Sequence, residues 1–162
     1  MEPTLAFVVS MAAVQKTWTN PKSASEADMT DAQTIASRFI DALNDRDFDA
    51  LARLVDEDVA LDSLTGQRTV GVEPLRSSIM TFLRHFDETY GDVVLMRDNF
   101  GQRIAVDLTA RGTYRETLDG FPTASGQTYS IPSVFVIEIE DQSITRVSHY
   151  RNMRAFEAEL AG

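Results

Sequence analysis

The 162-residue chain carries 25 acidic and 15 basic side chains, a formal charge of -10, and no cysteine. That charge repels phosphate backbones and anionic lipid, so neither nucleic acid nor a membrane is an expected partner. Without thiols there is no disulfide framework, no thiolate nucleophile and no thiolate metal site. The length suits one hydrophobic core rather than two. Composition shifts near residue 29: both lysines, Lys16 and Lys22, and the single tryptophan, Trp18, precede it. The stretch from Thr19 to Asp31 holds Pro, Ser, Asn and small polar residues that cannot bury enough surface to offset ordering entropy. Residues 1–29 are therefore expected to form a tail and linker, with Met29 an alternative start, and residues 30–162 the domain. The longest apolar run, Leu5 to Val14, is too short to span a bilayer and follows an acidic start rather than a basic leader. A cytoplasmic protein is expected.

Thr30 or Asp31 is expected to cap a helix in which Ile35, Phe39, Ala42 and Leu43 recur at helical spacing. Asn44 to Arg46 break it, Asp47 caps again, and Phe48, Leu51, Ala52 and Val55 make a second short stripe. Asp58 to Ser63 alternates as a strand and ends in the turn residues Thr65 and Gly66. Gly71 precedes a third helix with Pro74 in its first turn and Leu75, Ile79, Phe82 and Phe86 on one arc, His85 at its edge. From Asp92 the period changes to two. Four long strands joined by short turns follow, then a small helix from about Met153, which predicts an antiparallel meander. Helices first and consecutive strands after indicate an α+β domain with the helices on one face of a curved sheet.

The run FIDALNDRDFDALARLVDEDVALD, Gly71 with the helix after it, and the acidic turn before ITRVSHYRN resemble ketosteroid isomerases and SnoaL-like polyketide cyclases, which share the nuclear transport factor 2-like fold. The resemblance covers about residue 30 to the end. It implies a cone-shaped antiparallel sheet wrapped around the N-terminal helices, with a deep apolar pocket. It also implies a cofactor-free reaction by proton transfer on an apolar oxygenated small molecule such as a polyketide, terpenoid or steroid, and a homodimer. A non-catalytic ligand-binding or oligomerising module of the same fold is the rival expectation.

Carried over residue by residue, the isomerase base falls on Asp62 or Ser63, and Phe39 stands where the isomerases have their tyrosine. The acid-base position of the cyclases points to Asp62 and His149. The Asp-Arg-Asp set of limonene epoxide hydrolases falls on Thr113, Arg111 and His149, so an epoxide hydrolase-like activity is a lesser alternative. His149 is attractive because imidazole titrates near neutrality. Arg111, Tyr114 and Asn152 are candidates to hold a substrate oxygen, and Phe39 to line the pocket. Ser148 and His149 are not a nucleophile and base, because adjacent strand residues point to opposite faces. Parity also divides the strand near residue 104: Ile104, Val106, Leu108, Ala110 and Tyr114 share one face, Arg103, Asp107, Arg111 and Thr113 the other. If the apolar face packs on the helices, Tyr114 turns inward and Arg111 outward, whereas the epoxide-hydrolase alignment requires the reverse. No paired spacing of His, Asp or Glu suggests a metal, and no Gly-rich turn suggests a dinucleotide.

Overall fold

A computed structural model of the chain describes residues 31–162. Trp18, Met29 and the Leu5 to Val14 run lie outside the described residues. Helix α1 (Asp31–Asp45) buries Ile35, Ala36, Phe39, Ile40 and Leu43 along one face, and α2 (Phe48–Leu54) follows after Asp47, whose Oδ1 accepts from the Ala50 amide. Strands β1 (Val55–Asp62) and β2 (Arg68–Val70) then lead into α3 (Val72–Phe86). The long strands β3 (Glu88–Arg97), β4 (Arg103–Thr113), β5 (Thr128–Glu140) and β6 (Ser143–Arg151) come next, and α4 (Met153–Ala161) ends the chain. The sheet order is β2-β1-β6-β5-β4-β3, with β2 and β3 as its open edges.

The meander of β3 to β6 is antiparallel, as the sequence predicts. Register shifts in the β1–β6, β3–β4 and β5–β6 pairs bend the strands and curve the sheet around the helices. Three local expectations need correction. The sheet is mixed rather than wholly antiparallel, because β1 runs parallel to β6. That contact joins segments far apart in the chain, and no local pattern announces it. The turn after β1 holds a short strand, β2, which completes an antiparallel hairpin. Finally, β4 and β5 are joined by residues 114–127, not by a tight turn. Phe121 from this segment packs edge-on against Phe86 and Phe156.

The core fills the concave side. Ile104, Val106, Leu108 and Ala110 of β4 are buried, as are Ile131, Phe135 and Ile137 of β5 and Ile144 and Val147 of β6. Phe156 and Leu160 of α4 seal one end. The break between α1 and α2 has a second use. Asn44 clips β3 with two hydrogen bonds, donating to the Tyr90 carbonyl at 2.9 Å and accepting from its amide at 2.8 Å. Arg46 donates to the Glu88 carbonyl at 2.8 Å. Both fix the start of β3 against α1. No described helix is long and apolar enough to cross a membrane.

Candidate functional site

Between α1, α3 and the inner sheet face lies an apolar cavity of about 60 Å³. Phe39 and Leu43 come from α1, Ser78, Ile79 and Phe82 from α3, and Leu61, Ser63 and Leu64 from β1 and the turn after it. The sheet supplies Tyr90, Phe135, Val147 and His149. The last two are two positions apart on β6, so both point inward. His149 stacks on Phe135 with ring centroids 4.0 Å apart, and Phe82 and Tyr90 meet it edge-on.

Behind this wall the same strand parity brings in Arg151. Its side chain and that of Glu88 have no exposed surface, and they form a two-pronged ion pair at 2.6 and 2.9 Å. Further contacts support the two charges, although Arg151 Nε is buried without a partner among the described residues. The Tyr129 hydroxyl donates to Glu88 Oε2 at 2.5 Å, and the guanidinium lies 4.6 Å from the centroid of the Phe156 ring. Gly112 makes room for this arrangement, since a Cβ there would overlap the Tyr129 hydroxyl and the Phe86 carbonyl oxygen. Burial, and then the Glu88 carboxylate, push the Tyr90 and Tyr129 phenols above their ordinary range, so both stay protonated.

Arg151 decides the state of His149. Burial first, and then the neighbouring cation, hold the imidazole well below the usual histidine range, so it is uncharged at neutral pH. Its Nε2 stands 3.3 Å from Arg151 Nη2. A guanidinium only donates, so Nε2 must be the lone-pair nitrogen and Nδ1 must carry the proton. Nδ1 has no partner among the described residues, nor is it one of the polar atoms sealed away without one. His149 lines the apolar cavity and also borders the depression at the end of β1, and its Nδ1–H is unengaged by the described residues. A donor so placed can hold a carbonyl oxygen and stabilise charge developing on it.

The other candidates are scattered. Asp62 pairs in register with Ser148 and accepts from its hydroxyl at 3.0 Å, on the face opposite His149. Arg68 grips the same carboxylate at 2.6 and 2.9 Å and, as the largest influence, holds it below the usual carboxylate range. Asp62 and His149 both border a depression where β1 ends beside β6, but Asp62 does not line the cavity and is not the partner of the imidazole. Ser63, the alternative placement, does line it. Arg111 is on the outer face, half exposed and bound to Asp92 at 2.5 Å, and parity puts Thr113 on that side too. The reading from strand parity therefore holds over the epoxide-hydrolase alignment. Tyr114 is buried as parity requires, but it stacks on Phe86 and accepts from the Leu118 amide instead of lining the cavity. Asn152 is exposed and caps α4 by accepting from the Ala155 amide. Phe39 lines the cavity, edge-on to Phe135. Among the described residues no three metal-ligating side chains cluster.

The family model of the SnoaL-like domain matches residues 36–147. The chain belongs to this SnoaL-like family. A protein of Pseudomonas putida provisionally called a polyketide cyclase is 32% identical in a match covering 82% of this chain and 99% of that one, with a TM-score of 0.77. One from Xanthomonas campestris pv. campestris, called the same, is 30% identical over 80% and 96% of the two chains, with a TM-score of 0.76. An epoxide hydrolase of Mycobacterium tuberculosis, described as LEH-like, shares the fold at 15% identity over 80% and 84%, with a TM-score of 0.62. No curated protein matches.

In this SnoaL-like domain the sequence reading missed Glu88, Tyr90 and Arg151. The signal was present only in part. His149 and Arg151 are two apart on one strand, as are Glu88 and Tyr90, and period-two parity puts each couple on one face. The pairing of Glu88 with Arg151, 63 positions away, leaves no local trace.

Proposed function

We propose that this SnoaL-like protein binds an apolar oxygenated small molecule, of the polyketide, terpenoid or steroid kind, with an acceptor oxygen against His149 Nδ1–H. Polarising that oxygen acidifies the neighbouring C–H, whose proton passes to solvent hydroxide and is returned by water, as in isomerisation, intramolecular aldol cyclisation or dehydration, without a cofactor. The single observation behind this reading is the uncharged imidazole on the wall of an apolar cavity, its N–H left free by the guanidinium behind it. The names given to the relatives from Pseudomonas and Xanthomonas agree with it. His149 is here a donor to the substrate, in place of the base expected from the sequence. A binding module without turnover is the second reading. It is favoured by one fact: Asp62, the carboxylate nearest a catalytic position, is turned away and bound to Arg68. Assembly as a homodimer would use the outer sheet face, where Val94, Met96 and Tyr150 are exposed. Light scattering that finds a monomer at high micromolar concentration would refute that. The absence of cysteine suits a cytoplasmic setting.

Deuterium exchange tests the reaction. Aryl methyl ketones incubated with the protein in deuterated water should exchange their acidic C–H faster than in buffer. His149→Ala should lower that rate by roughly 10²-fold, the usual share of one positioned group, and Asp62→Asn should leave it unchanged. Ketone binding without exchange in the wild type supports the module reading. Exchange that survives His149→Ala places the chemistry on other residues.

A further inference from the structure

The cavity's volume is too small for the ligands just named. Small-molecule sites run from roughly 300 to 1,000 Å³, whereas the cavity offers about 60 Å³, room for an acetyl-sized group. It shares a wall with a larger space. Ser63, Leu64, Ser78 and Phe82 also line a groove of about 550 Å³ between α3 and the β1–β2 turn. Cavity and groove together reach the range of a real ligand, and beside Leu64, Pro74, Phe82 and Leu118 the groove adds polar groups that the cavity has few of.

We propose that this groove is a second subsite, for an uncharged polyhydroxylated group, a glycosyl or polyol unit, on a ligand whose carbonyl end enters the cavity. The proposal rests on the carbonyl reading above and extends it to the rest of the ligand. One side of the groove is a helical stripe of hydroxyls, Ser77, Ser78 and Thr81, and the other is formed by Thr65 and Gln67 of the turn. Hydroxyls and a carboxamide both donate and accept, which matches the hydroxyls of a sugar. No lysine or arginine lines the groove, while Asp119 does. A phosphate or carboxylate would meet no cation there and one like charge.

His85 gives the groove a fixed acceptor. It is buried to 9% exposure, with Nδ1 2.9 Å from the Glu116 carbonyl oxygen. A carbonyl only accepts, so Nδ1 donates, and the tautomer that this selects has its lone pair on Nε2. Among the described residues Nε2 has no partner, and it is not one of the sealed polar atoms. His85 lines the groove, so this lone pair is available to a ligand hydroxyl. The edge of Phe82, shared by both spaces, supplies an apolar surface for the C–H face of a sugar ring.

Calorimetric titration of the full chain with 4-hydroxyacetophenone, its O-β-glucoside and the 6-phosphate of that glucoside tests the proposal. The glucoside should bind about tenfold more tightly than the ketone, equivalent to about 1.4 kcal/mol, and the phosphate should abolish that gain. Ser77→Ala with Thr81→Val, both at exposed positions, should bring the glucoside down to the affinity of the ketone and leave the ketone unchanged. A glucoside no tighter than the ketone, a gain indifferent to this double variant, or a phosphate that binds equally well each overturns the subsite. His149→Ala separates the two readings. Ketone affinity lost in that variant, with no glucoside gain in the wild type, keeps the cavity and rejects the groove. A glucoside gain with ketone affinity unaffected by His149→Ala does the reverse. Binding of none of the three probes counts against both.

Discussion

The two histidines of the chain carry their proton on the same nitrogen yet offer a ligand opposite ends. In the cavity, the Arg151 guanidinium occupies Nε2 of His149 and leaves an N–H. In the groove, the Glu116 carbonyl occupies Nδ1 of His85 and leaves a lone pair. What an imidazole can do is thus set by the group behind it, which is a cation in one case and a backbone oxygen in the other. The surroundings follow the same division. The cavity wall is apolar with its charges sealed beneath it, whereas the groove sets hydroxyls and a carboxamide beside its apolar side chains.

The sealed charges are where the comparison can be broken most severely. Arg151→Met leaves the Glu88 carboxylate buried with no cation, which should cost about 3–5 kcal/mol in urea denaturation. Adding Glu88→Leu to that variant should restore most of the loss, because an apolar pair replaces an ionic one. The exposed Arg111–Asp92 pair is the control, since Arg111→Ala should cost less than about 1 kcal/mol. If the single Arg151 variant costs no more than the Arg111 variant, the buried pair does not organise the cavity.

A smaller effect is expected from pH. The folded pKa of His149 lies below its unfolded value of 6.5. As pH falls through about 6.5, the unfolded chain takes up a proton that the native imidazole refuses, so stability declines. The slope from this one group is up to about 1.4 kcal/mol per pH unit, until pH passes the folded value. His149→Phe keeps the ring stack on Phe135 and removes the titrating group, so its stability should fall less than that of the wild type between pH 7 and 5.5. Parallel declines would mean that His149 is not held uncharged.

Much of this architecture was legible locally. The spacing of Ile35, Phe39, Ala42 and Leu43 marked α1, Asp47 marked the second cap, and alternation along β4 put Tyr114 and Arg111 on opposite faces while leaving open which face lines the pocket. These features depend on neighbours within a few positions. The site does not. Glu88 follows Asp87 and resembles any acidic turn residue, and nothing near it shows that Arg151 will bury it. Asp62 looked catalytic by position, but its face is decided by pairing with Ser148, 86 positions away. Asn152 satisfies a helix end, a role that its place between β6 and α4 allows.

The tautomer of His149 is the most direct test, because its role as a donor depends on Arg151, while its lack of charge depends on burial first and on Arg151 second. Long-range proton–nitrogen NMR on labelled full-length protein at pH 7 reads each ring nitrogen. The expected spectrum has His149 with a protonated, pyrrole-type Nδ1 and a pyridine-type Nε2, and Arg151→Met should remove that preference. A protonated Nε2, or an imidazolium with both nitrogens protonated at pH 7, would contradict the assignment of His149 as the cavity's hydrogen-bond donor.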